Sequence, residues 1–228
     1  MTDWINSEVA ISEPLRQIMD SATQEEREHF ARLLLLLLQG FEASAKEPEV
    51  RRESPAQTAR RLHEAADMRI EEASQTELAQ QITCRKGCAH CCHINVSVTP
   101  EEADLLLEVG LAKGLSIDPK RLLKQIHWKD EDWLQQPRAD ARCVFLGDDN
   151  TCQVYEDRPL SCRKYFVVTE PELCNIEKHP GEKVGSWADA ELEIIVTAVW
   201  TFYGVDTLPR QLMAAMLRKA GLKKEVRE

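Results

Sequence analysis

Eight cysteines carry the chemistry of this chain, and all of them lie between Cys84 and Cys174. Residues 1–83 and 175–228 contain none. Cysteine used as a small hydrophobe would be scattered through every helix, so this confinement marks the middle of the chain as chemically distinct. The first group is Cys84-Arg85-Lys86-Gly87-Cys88-Ala89-His90-Cys91-Cys92-His93. Cys88 and Cys91 form a C-x-x-C knuckle, a spacing that lets two thiolates grip one ion. Neighbouring side chains of an extended chain point apart, so Cys91 and Cys92 face one centre only if the backbone turns. Otherwise the pair serves two sites.

The second group is Cys143, Cys152 and Cys162, with Cys174 further on. All eight cysteines are candidate metal ligands, and Cys88, Cys91, Cys92, Cys143, Cys152 and Cys162 are the strongest. For Cys143, Cys152 and Cys162 a buried structural thiol is the competing reading. It weighs most for Cys174, which stands alone after Pro171. Four ligands satisfy one site, so eight thiols imply either leftovers or two sites.

Two chemistries compete. Zinc takes four thiolates, or three with a histidine from His90 or His93, in a closed tetrahedral site. An iron-sulfur cluster also takes four thiolates. Basic neighbours at Arg85, Lys86, Arg163 and Lys164 tip the expectation narrowly to an anionic 4Fe-4S cluster. His90 and His93 are read as supports or solvent-facing groups before ligands, and His63 and His127 as ordinary histidines. Arg158, Arg163, Tyr155 and Tyr165 are read as packing and ion-pairing groups. No catalytic residue is assigned, and a metal-free thiol redox sensor is a weaker third reading.

These residues carry a resemblance. Cys88-Ala89-His90-Cys91-Cys92, Val96-Ser97-Val98-Thr99-Pro100-Glu101-Glu102, Cys143-Val144-Phe145-Leu146 and Cys152 through Tyr165, with its Arg158-Pro159-Leu160-Ser161-Cys162-Arg163 stretch, resemble the YkgJ-like cysteine-cluster family of the CxxCxxCC type. The resemblance spans about Cys84 to Cys174. It implies zinc, iron or iron-sulfur binding. A related domain in flagellin lysine-N-methylases implies, by analogy, an oxidoreductase or modifying role, and bound iron would imply electron transfer or support of a modification reaction. Cys84-x-x-x-Cys88-x-x-Cys91 matches the radical-SAM spacing in letters. No run of alternating strands and helices follows it, which sets that reading aside.

The elements that must position the thiols read as helices. Thr23-Gln24-Glu25-Glu26 is a capping box opening a helix through Leu38. After a loop over 43–53, Ser54-Pro55-Ala56-Gln57 opens another, with Ala59, Leu62, Ala66, Ile70 and Ala73 at helical spacing to about Gln81. Thr99-Pro100-Glu101-Glu102 is a third box, and Asp118-Pro119 starts a short helix. Ser186-Trp187-Ala188-Asp189 precedes an apolar helix through Tyr203 that stops at Gly204. Thr207 and Pro209 begin a last helix ending near Gly221. Cys143–Leu146 and Thr151–Tyr155 are β-prone runs joined by turn residues, a small hairpin. The fold class is mostly α: helical arms around an irregular cysteine-rich metal-binding segment with one small β-hairpin. The expected organisation is an N-terminal helical region (1–83), the cysteine-cluster region (84–180), and a C-terminal helical pair (181–228) packed on it.

Composition bounds the rest. The 228 residues carry 39 acidic and 29 basic side chains, a net charge of -10, which argues against nucleic acid because counterion release needs clustered Lys and Arg. The Leu33–Leu38 run is far short of the roughly 20 apolar residues of a membrane span, so no membrane partner is expected. Met1-Thr2-Asp3-Trp4 opens without a basic secretory region, pointing to the cytoplasm, where thiols stay reduced. If zinc merely staples the loops, the helical arms become a docking surface for an unidentified protein partner.

Overall fold

The computed structural model describes residues 9–85 and 87–222. Lys86 and the Met1–Trp4 opening lie outside them. Three helices open at the expected boxes, and one precedes them without a sequence expectation. Helix α1 (Glu13–Ser21) is capped by Ser12, and α2 (Gln24–Ser44) by the Thr23–Glu26 box. Helix α3 (Pro55–Ala73) and α4 (Pro100–Ala112) open with the expected Ser54–Gln57 and Thr99–Glu102 boxes. In each box the hydroxyl and the N3 side chain satisfy backbone N–H groups that the first turn cannot pair.

Two helix ends differ from expectation. Helix α2 runs past Leu38 to Ser44, through Gly40. Helix α3 stops at Ala73 rather than near Gln81, so its 19 residues are about 28 Å long. The hydroxyls of Ser74 and Thr76 take the carbonyls of Glu71 and Ala73, and Thr76 then accepts from the N–H of Ala79. These local bonds compete with continuation of the helix.

The chain continues through α5 (Pro119–Gln125, capped by Asp118), single turns α6 (Asp130–Trp133), α7 (Arg138–Ala141) and α8 (Leu160–Arg163), then α9 (Ala190–Tyr203) and α10 (Leu208–Lys219). Asp189 alone caps α9, because Ser186-Trp187 is a strand rather than part of the cap. Gly204 ends α9 at φ 81°, a conformation that glycine adopts without penalty.

Strands are two residues each. β1 (Ser97–Val98) pairs antiparallel with β4 (Asp206–Thr207), and β2 (Phe166–Val167) with β3 (Ser186–Trp187). Neither pair had a legible sequence signal, since two residues show no alternation. The expected hairpin at 143–155 does fold back, but through one bridge, Leu146 with Cys152, in place of a ladder. Gly147 N–H to Thr151 carbonyl (2.9 Å) and Gln153 N–H to Phe145 carbonyl (3.0 Å) complete it.

Helix α9 packs against α1, α2 and α3. Leu192, Val196, Val199 and Trp200 meet Leu62 and Ala66 of α3, while Ile194 and Ala198 meet Leu15 of α1 and Leu34 of α2. A separate core joins Leu105 and Leu106 of α4, Leu122 of α5 and Leu212 of α10 to Val144, Phe145 and Val154 of the fold-back loop. Of the leucine run, Leu34 is buried but Leu35 and Leu36 are exposed. Among the described residues no helix is long and apolar enough to cross a membrane.

Candidate metal centre

The cysteines sit on short, irregular pieces that larger elements hold. Cys91 and Cys92 lie in a single 3-10 turn, His90–His93, which supplies the backbone turn that two adjacent thiols need to face one region. The N–H of Cys143 donates to the carbonyl of Cys92 (2.7 Å), tying the fold-back loop to that turn. Cys152 is fixed by its bridge to Leu146, and Cys162 by turn α8. Cys174 closes a 3-10 turn, Pro171–Cys174, that packs against the Cys91 turn. The Cys84 thiol accepts the Val167 N–H at 3.2 Å.

All eight cysteines are free thiols and half-buried. Their electrostatics sort them into two groups. Burial pushes the Cys143 thiol up to about 12, and the charges of Cys152 and Cys91 push the same way. Burial raises the Cys162 thiol strongly, with added repulsion from Cys91, Cys143 and Cys152. Burial raises Cys152 as well, and Cys91 repels it. Each pair within Cys91, Cys143, Cys152 and Cys162 therefore interacts through space. Three of the four, Cys143, Cys152 and Cys162, also pack on the α4–α10 core.

The second group is Cys84, Cys88 and Cys174. Burial pushes Cys174 up to about 11, followed by repulsion from Cys88, Cys84 and Cys91. Burial also raises Cys84, with Cys88 and Cys91 repelling it. Tyr165 stands beside this group, raised to about 12 by burial and then by Cys174, Cys91 and Cys84. Cys91 belongs to both groups. Its thiol is raised first by its hydrogen bond with Cys92 and then by burial.

Arg163 takes the ion-pairing part expected of it, and Lys164, expected beside an anionic cluster, is engaged elsewhere. Arg163 reaches Asp67 of α3 at 2.5 Å, and Lys164 pairs with buried Glu193 of α9 at 2.7 Å, so neither charge is left for the thiols. Arg85 is exposed. The cations whose fields reach the thiols are Arg158, acting on Cys91 and Cys152, Arg121 on Cys143 and Lys113 on Cys152. Arg121 and Lys113 come from α5 and the end of α4, and no local motif singles them out.

The histidines are held as supports. Arg138 Nη2 donates to His90 Nδ1 (3.0 Å), and His90 Nε2 faces Glu172 Oε2 at 3.3 Å, which engages both ring nitrogens. His93 Nδ1 donates to the Ala89 carbonyl at 2.9 Å. Burial, and then Arg138, holds both rings below the usual histidine range. His63 is buried against Glu102 at 3.0 Å. Tyr155 lies under the Arg158 guanidinium, 4.0 Å from ring centroid to carbon.

Among the described residues no group of three or more Cys, His, Asp or Glu side chains is placed to hold a metal ion. The donor set nonetheless fits a thiophilic metal. Buried thiols that repel one another as anions need a cation to deprotonate together, and soft thiolates suit zinc and iron-sulfur centres.

Residues 83–180 match the model of the CxxCxxCC family, described as a putative zinc- or iron-chelating domain. The segment is similar to that family's domain. It holds every cysteine of the chain and both thiol groups. The matched segment begins after α3 and ends before α9; it contains α4 to α8, while α3, α9 and α10, which also anchor its loops, lie outside it. No curated protein and no solved structure matches the chain.

Proposed function

We propose that the CxxCxxCC-like domain holds one 4Fe-4S cluster through Cys91, Cys143, Cys152 and Cys162, and that the cluster serves electron transfer or a protein-modification reaction. The observation that carries this reading is the gathering of Cys143, Cys152 and Cys162 on the α4–α10 core, with Cys143 tied by its N–H to the Cys91–Cys92 turn. Four is the number of thiolates that such a cluster takes. The apolar neighbours Val144, Phe145 and Val154 limit water around three of them. The positive charges of Arg158, Arg121 and Lys113 offset the negative charge of a thiolate-ligated cluster. When bound, the cluster supplies one-electron chemistry. The chain's own residues orient the thiols, exclude water and neutralise charge.

Anaerobic reconstitution with ferrous iron and sulfide tests the reading. Wild type should take up about four irons and four sulfides per chain, and Cys152→Ser should lose them. Stoichiometric zinc that iron and sulfide cannot replace would favour the zinc-stapled alternative, in which the domain is a non-enzymatic interaction module.

A further inference from the structure

Turn α8 is only four residues long, and it carries Cys162. A single turn has too few internal hydrogen bonds to hold itself in place. Its neighbours do so instead. The N–H of Leu160 donates to Glu102 Oε1 at 2.7 Å, and Ser161 Oγ donates to the Ser97 carbonyl at 2.5 Å. Arg163 pairs with Asp67 at 2.5 Å, and its guanidinium also holds the carbonyls of Arg158 (2.8 Å) and Glu156. Lys164 Nζ donates to both Glu193 oxygens at 2.7 Å. The residues flanking Cys162 are thus tied to α4, β1, α3 and α9.

Two of the anchors are carboxylates with almost no solvent contact. Glu102 is 1% exposed and Glu193 is 2% exposed. Glu102 also receives His63 at Oε1 and the Thr99 N–H at Oε2, so the capping box of α4 is built into the same hub. Glu193 additionally receives Ser12 Oγ at 2.5 Å. A buried carboxylate needs such partners to offset lost hydration. Paired apolar side chains of similar size would serve packing as well or better, so packing alone does not account for the charges. Among their partners each carboxylate accepts from one end of the turn that carries Cys162, Glu102 from Leu160 and Glu193 from Lys164.

We propose that Glu102 and the Lys164–Glu193 pair are positioning residues that fix the Cys162 thiol for metal binding. The proposal rests on the reading of Cys162 as a ligand. It makes metal affinity depend on residues that touch no metal, two of which, Glu102 and Lys164, approach the turn from opposite ends.

Cobalt(II) titration of the full chain, read by thiolate-to-cobalt charge-transfer absorption, tests it. The variants are Cys162→Ser, Glu102→Ala, Glu102→Gln and the double change Lys164→Met with Glu193→Leu, which removes both charges while keeping volume. Far-UV circular dichroism of each reports the fold. Glu102→Ala and the double variant should bind cobalt about 10–100-fold more weakly, as losses of outer-shell support do. Their charge-transfer intensity should fall toward that of Cys162→Ser. Glu102→Gln keeps an oxygen acceptor for the Leu160 N–H and should recover most of the intensity. Wild-type affinity and intensity in both anchor variants, with Cys162→Ser impaired, would overturn the positioning role. So would loss of the fold in every anchor variant, which would make the anchors part of the core alone. An unaltered Cys162→Ser would remove Cys162 from the ligand set. A wild type without charge-transfer absorption would defeat the metal reading itself.

Discussion

The backbone N–H of Cys143 donates to the carbonyl of Cys92 over 2.7 Å, joining two cysteine segments that are far apart in sequence. The bond places the start of the fold-back loop beside the Cys91–Cys92 turn. Ligand substitutions should therefore be unequal. Cys143→Ser, Cys152→Ser or Cys162→Ser should weaken metal binding by more than the roughly 10–100-fold of an outer-shell change. Cys84→Ser and Cys174→Ser, in the second group, should have smaller effects. Competition titration with a chromophoric chelator ranks them, and equal losses at all five positions would contradict the division.

Alkaline pH should destabilise the metal-free protein. Burial raises the Cys143 thiol from the usual 9.0 to about 12, and raises Cys162 as well. The folded chain then holds protons that the unfolded chain releases, so stability is full below about pH 9 and is lost as pH climbs toward the folded values. Urea unfolding of metal-free protein should give a lower midpoint at about pH 10 than at about pH 8, and Cys143→Ala should flatten the difference. Metal binding must expel the same protons, so metal affinity should rise over that range.

Removing metal should loosen the cysteine segment selectively. Its turns and two-residue strands have few hydrogen bonds of their own, whereas α2, α3 and α9 share an apolar core. Limited proteolysis of chelator-treated protein should cut within residues 84–174 while the terminal helices persist. Identical resistance with and without metal would show that the segment folds independently of it.

Ser12 does two jobs, accepting the Leu15 N–H as the α1 cap and donating to buried Glu193. Ser12→Ala should cost about 1–2 kcal/mol, the loss of a cap plus a charge-assisted bond. Urea unfolding measures it. Ser21→Ala, whose hydroxyl meets only the Gln17 and Ile18 carbonyls on the exposed face, should change stability by less than about 0.5 kcal/mol.

The helix starts were legible because capping is local. Thr23, Ser54, Thr99 and Asp118 each announce a helix with a side chain that meets an N–H two or three residues on. The end of α3 was not, since alanine spacing continues to Ala73 while the stop depends on what Ser74 and Thr76 bond. The two-residue strands were invisible, because Ser97 and Phe166 find partners only once β4 and β3 are in place. The site divided in the same way. Cysteine spacing is local and named the thiols. The roles of Arg121, Lys113, Glu102 and Glu193 come from tertiary packing. The sequence suggested Lys164 as a basic neighbour of an anionic cluster, but Glu193, on a helix beyond the cysteine region, pairs with it.

Visible absorption with iron, sulfide and zinc analysis of anaerobically purified protein tests the central claim most directly. The account predicts a brown protein with iron and sulfide in equal amounts and a broad charge-transfer band that fades on reduction. A colourless protein carrying stoichiometric zinc, or no metal, would contradict it.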